Sequence, residues 1–129
     1  MREILFKAKR MDNGEWVEGL LVMMFWRYHI QMLEDENIAY SIDPKTICQY
    51  TGLKDKNGKR IWENDILSAH WDNDYPEDVS YCKVAWKENG FKTVEKESVD
   101  SEYLFRIDCD ECYEVAGNIF DNPELLEED

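Results

Sequence analysis

Residues 46–67 read TICQYTGLKDKNGKRIWENDIL and hold more turn chemistry than any other stretch of this 129-residue chain. Tyr50-Thr51-Gly52-Leu53 reads as an apolar strand end entering a tight turn, where Gly52 supplies a positive φ that a Cβ would resist. Lys54-Asp55-Lys56-Asn57-Gly58-Lys59 is a polar excursion, and Asn57-Gly58 is the dipeptide that favours a two-residue turn with both central residues at positive φ. Ile61 and Trp62, then Ile66 and Leu67, return to a core, with Glu63-Asn64-Asp65 as a second corner between them. Short apolar runs separated by sharp turns predict a mainly β protein.

Upstream, residues 3–10 alternate loosely, with Ile4, Phe6 and Ala8 on one face, as in a half-buried strand. Met11-Asp12-Asn13-Gly14 is the turn after it. Residues 15–28 read as a long strand or a strand pair, but from Leu20 the alternation fails and LLVMMFW, residues 20–26, is apolar on both faces. A strand of that kind is buried on both sides, whereas a small barrel has one interior. The second face therefore needs a cover: a subunit interface, the chain's own terminal segment, or a helical turn in place of the strand. Leu20, Val22, Met24 and Trp26 are the candidate contact residues. His29 to Leu33 is a pairing strand, and residues 38–42 form a short strand stopped by Asp43-Pro44.

Downstream, residues 65–71 and 79–86 read as strands on either side of an acidic loop, Asp72 to Asp78. Lys87-Glu88-Asn89-Gly90 is a hairpin turn, with a returning strand over 91–97. Residues 98–106 are ambiguous between helix and loop. Residues 113–120 are strand-like, broken by Gly117, and Asn122-Pro123-Glu124 begins a short helical turn with Asn at the cap and Pro at the first position.

These residues carry a resemblance. The central stretch resembles the YopX family of small phage and prophage proteins, whose usual pattern there is QYTGLKDKNGKEIYEGDIV. Gln49 to Lys59, Ile61, Glu63, Asp65 and Ile66 match it, and Trp62 replaces a tyrosine. Phe6-Lys7-Ala8, Gly14-Glu15-Trp16-Val17-Glu18-Gly19, Ile42-Asp43-Pro44 and the run GNIFDNPEL at 117–125 match as well. Asn64 stands where the family usually has glycine, and Asn is the residue with a Cβ that best tolerates the left-handed region. Arg60 and residues 71–110 follow no family motif. The resemblance implies a mainly β fold with some α+β character, built as a small SH3-like barrel with an N-terminal β segment and a short C-terminal helical turn. It also implies a phage or prophage setting and self-association, and it carries no defined biochemical activity. The domain reading is a single unit over 1–129, with an N-terminal β subdomain at 1–45 and a barrel at 46–129 as its finer division.

A hydrophobic content of 43% with five Trp, seven Tyr and five Phe is that of a packed chain, not a disordered one. The charge is divided unevenly. Residues 1–62 carry a net +1 and residues 63–129 a net −15, together the −14 of the whole chain. An acidic field repels phosphates and favours basic partners, so nucleic acid is the less favoured ligand. The plainer reading is that the charge keeps the protein soluble. Met1 to Lys7 reaches its second basic charge before any long apolar region, and the seven-residue run at 20–26 cannot span a bilayer. The expectation is a protein of the bacterial cytoplasm, without membrane association, whose four cysteines are reduced thiols.

Candidate chemistry is sparse. Cys109-Asp110-Glu111-Cys112 is a lone CxxC; zinc would want a second pair, and the two acids between the thiols work against a reactive thiolate. With no phosphate-cradling loop, paired metal-ligand histidines or nucleophile elbow, the expectation is no enzyme, metal or cofactor. Lys54, Lys56, Lys59 and Arg60 form a basic cluster on a projecting turn, with Lys7, Lys9 and Arg10 as further cations. They read as solvated turn lysines, as a contact for the acidic half of another copy, or as a phosphate contact. The function expected is that of a non-enzymatic accessory protein that self-associates and binds an unknown host or phage protein. The alternative is a nucleic-acid-binding module using the turn at 54–60.

Overall fold

The computed structural model describes residues 4–70, 79–87, 90–94, 101–103 and 113–126. The expected CxxC at Cys109 and Cys112, the acidic loop at 72–78 and most of the ambiguous stretch at 98–106 lie outside them. The chain divides into two compact units, Met1–Tyr50 and Thr51–Asp129.

The first unit is an antiparallel meander. β1 (Phe6–Lys9), β2 (Trp16–Met24), β3 (Arg27–Gln31), β4 (Ala39–Ser41) and the start of β5 (Cys48–Lys54) line up in the order β4-β3-β2-β1-β5. Gly14, at φ +72°, turns the chain between β1 and β2, where Phe6 faces Gly19 and Lys9 faces Trp16. One face carries the core: Ala8, Ile30 and Ile42 are buried, with Phe6, Val17, Leu21 and Ile47 against them. Side chains alternate across a strand, so the same pattern that buries Leu21 sends Leu20, Val22 and Met24 to the opposite face. Asp43 caps a 3-10 turn at Pro44–Thr46, accepting from the Lys45 N–H at 3.0 Å.

The second unit holds the rest of β5, β6 (Arg60–Trp62), β7 (Asp65–His70), β8 (Val79–Lys87), β9 (Gly90–Val94), β10 (Ser101–Tyr103) and β11 (Tyr113–Asn118). The last five form an antiparallel sheet of order β10-β9-β8-β7-β11. Ile61, Leu67, Cys82, Val84, Phe91 and Tyr113 make its core, with Leu53 and Val115 packed on them. The β5–β6 hairpin thus covers one side of that sheet. β11 shifts register between Val115 and Gly117, at the break the sequence marks. A single 3-10 turn, Pro123–Leu126, follows.

Four expectations are corrected. The described strands form open antiparallel sheets, and no closed barrel is found among the described residues. Closure needs the outer strands to pair, and β10 and β11 stand at opposite ends of their sheet. Gly52 has its positive φ, +89°, but β5 runs through it to Lys54; the side chain of Thr51, bonded to the Ile61 carbonyl at 2.7 Å, holds the two strands together there. At Asn57-Gly58 only Gly58 is at positive φ, +79°. Gly58 N–H donates to the Asp55 carbonyl and Asp55 N–H to the Lys59 carbonyl, so the loop is a turn ending in a left-handed glycine, one residue longer than a two-residue hairpin. The apolar run at 20–26 is not one strand: it reverses at Phe25-Trp26.

Candidate functional site

The candidate residues fall into two groups, each in its own unit. In the second unit, the basic turn is built on a carboxylate. Asp55, 3% exposed, accepts from Asn57 N–H and Lys59 N–H through one oxygen and from Val115 N–H through the other, all at 2.9 Å. Lys56 N–H donates to the Tyr113 carbonyl, the Asn57 amide donates to Glu114 at 3.2 Å, and the Lys56 ammonium lies 3.8 Å from the same carboxylate. Burial pushes the Asp55 carboxyl up, but the N–H groups of Val115, Lys59 and Asn57 and the Lys59 charge together hold it below the usual carboxylate range. Lys54, Lys56 and Lys59 are exposed and Arg60 is half-buried in β6. The turn is therefore pinned to β11, with Lys56 partly neutralised by Glu114.

Lys7, Lys9 and Arg10 lie in the first unit. The Lys7 and Lys9 ammonium groups sit over the Trp16 ring at 4.8 and 5.4 Å, and the Arg10 guanidinium stacks on Tyr40 at 3.9 Å while pairing with Asp12. Such stacking engages cations through the ring's negative face.

The apolar group forms the second site. Leu20 (42% exposed), half-buried Val22 and Met24 (36%) line the open face of β2, opposite Gln31, His29 and Arg27 of β3. Met24 pairs with Arg27, which leaves Phe25 and Trp26 as a two-residue turn at φ +51° and +66°. Two consecutive left-handed residues suit the twist of a hairpin, but the position favours Asn-Gly; side chains with a Cβ cost about 1–2 kcal/mol each there. Both aromatic rings stand in solvent, Phe25 89% and Trp26 95% exposed. Beside them Met11, Trp26, Arg27, Tyr28, Ser41, Ile42 and Pro44 line a groove of ≈ 420 Å³.

Sequence reasoning picked out Leu20, Val22, Met24 and Trp26 but missed that Trp26 heads a turn, because no Gly, Asn or Asp marks it. Asp55 was missed as well. Its signal was available: an aspartate two residues ahead of an Asn-Gly is placed to bond the turn's own N–H groups. Among the described residues no three His, Cys, Asp or Glu side chains converge as metal ligands, and the described cysteines, Cys48 and Cys82, are buried free thiols. No helix of the described residues is long and apolar enough to cross a membrane.

A meander and an open sheet joined through one strand, with turns set by left-handed glycines, define a mainly β protein of two antiparallel sheets. The YopX protein family model matches residues 6–127, and the chain belongs to that family. Its fold is similar to the crystal structure of protein EF1440 from Enterococcus faecalis, with 27% identity over 98% of this chain and 100% of that one and a TM-score of 0.63. It is also similar to protein yopX from Bacillus subtilis, with 17% identity over 100% and 99% of the two chains and a TM-score of 0.61, a likeness of fold. No curated protein matches the chain.

Proposed function

We propose that this chain is a non-enzymatic accessory protein of a phage or prophage, acting in the bacterial cytoplasm, that self-associates through the β2–β3 hairpin and binds a protein partner. One observation carries the self-association: Leu20, Val22 and Met24 lie uncovered on a single sheet face, next to two fully exposed aromatic residues. Soluble chains rarely leave such a contiguous apolar patch bare without an interaction to cover it. Taking the exposed parts of those three side chains out of water contributes on the order of 3 kcal/mol per copy. The phage setting rests on family membership alone, and the protein partner on the net −15 of residues 63–129, which favours a basic surface.

The basic turn supports a nucleic-acid reading less well. Asp55 lies beneath it, and Lys56 and Asn57 are already held by Glu114, so the turn presents less positive charge than its four cations promise.

Molar mass by light scattering over a wide concentration range tests the proposal, with Leu20→Ser/Val22→Ser as the comparison. A mass that rises with concentration in the native chain and stays monomeric in the variant is expected. A native chain that remains monomeric at the highest concentrations reached would remove self-association.

A further inference from the structure

The hairpin tip combines three features that no core requirement explains. Phe25 and Trp26 occupy left-handed backbone, both rings are in solvent, and an apolar groove lies directly beside them. Backbone held in a disfavoured region at an exposed position points to a use for the side chains it displays. A tip whose only task was to reverse the chain would be better served by Asn-Gly.

We propose that this tip is half of a reciprocal docking site for a second copy of the chain, with Trp26 of each copy seated in the groove of the other against Met11, Tyr28, Ile42 and Pro44. The inference rests on the self-association reading above and names its contact. A projecting knob and a neighbouring hole on one surface are self-complementary, and a two-fold axis then satisfies both at once. The groove is of a size that takes an aromatic group, and its lining is mainly apolar and aromatic. Arg27, the one charged residue in that lining, is placed to lay its guanidinium on an incoming indole.

Charge selects the occupant. Arg27 is the single Lys, Arg, Asp or Glu between Gly19 and Leu33, whereas the chain as a whole carries −14. Two copies meeting at their tips bring together the least charged segment and avoid juxtaposing the acidic halves. A basic protein or a nucleic acid finds no charge pattern here to recognise, and an anionic lipid surface is opposed by the net charge. The site thus fits a copy of itself.

Sedimentation equilibrium on the full chain tests this with four samples. The native chain is expected to dimerise, and Trp26→Ala to weaken dimerisation at least 30-fold. Phe25→Asn/Trp26→Gly is expected to be monomeric with an unfolding temperature, measured on dilute samples, no lower than that of the native chain. Ser41→Trp, which fills the groove from inside, is expected to weaken dimerisation like Trp26→Ala. Mixing it with Trp26→Ala restores one knob in one groove, so heterodimers should form more tightly than either homodimer.

If the native chain is monomeric, the self-association reading fails and this one with it. If the native chain dimerises and Trp26→Ala dimerises equally well, or if the mixture gains nothing, reciprocal docking alone is overturned. Binding of the native chain to neutral phosphatidylcholine vesicles through Trp26, without dimerisation, overturns it in favour of a lipid surface.

Discussion

Replacing Asp55 by Ala removes the acceptor of three backbone N–H groups at once, those of Asn57, Lys59 and Val115. An unpaired buried donor costs about 1–3 kcal/mol. The Val115 N–H is part-buried and sixty residues away in sequence, so it bears the full cost, whereas the N–H groups of exposed Asn57 and Lys59 recover much of theirs from water. The expected loss is about 3 kcal/mol. Asn at this position keeps an oxygen for Asn57 and Lys59 but turns an NH₂ toward the Val115 N–H, and about half that loss is expected. Urea unfolding followed by circular dichroism reads the difference; with a slope of about 1–3 kcal/mol per molar, Asp55→Ala shifts the midpoint down by about 1–2 M. The acid dependence gives a second reading. Because the folded protein holds the Asp55 carboxyl below its unfolded value of 3.8, its contribution is complete above that pH and is lost as pH falls through the folded value. The native chain should therefore lose more stability below about pH 4 than Asp55→Asn does. An alanine variant within about 0.5 kcal/mol of the native chain, or identical acid slopes for native and Asn, would refute the hub role of Asp55.

Other perturbations follow from the same geometry. A Cβ at Gly117 would collide with the Asn122 side chain that accepts the Asn118 N–H, so Gly117→Ala should lower stability by about 1–3 kcal/mol and loosen the C-terminal turn, measured by hydrogen exchange at Asn118 and Asn122. Gly19→Ala drives a Cβ into the Gln31 carbonyl of β3 and should cost at least as much in urea unfolding, since backbone must move. Asn64, at φ +71°, should tolerate Gly within about 0.5 kcal/mol but lose about 1 kcal/mol to Ala in the same assay. Phe25→Asn/Trp26→Gly should raise monomer stability by about 2 kcal/mol by removing two left-handed residues with large side chains, read as an upward shift in the urea midpoint of dilute samples.

Much of this architecture is legible in local chemistry. Gly14, Gly52, Gly58 and Asn64 stand at positive φ where the sequence puts residues able to take it, and the alternation around Leu20 already separates a core face from an open one. A backbone that needs a left-handed residue advertises it, because few side chains permit the conformation. What the chain does not advertise locally was decided by distant partners. Phe25-Trp26 turns because β2 and β3 pair from Leu20–Gln31 to Met24–Arg27, and that pairing holds two aromatic residues where neither would settle alone. Asp55 becomes a hub only when β11 brings Val115 to it. Open sheets in place of a closed barrel depend on which outer strands find each other, a matter of pairing between residues far apart in the chain, on which propensity and turn chemistry are silent.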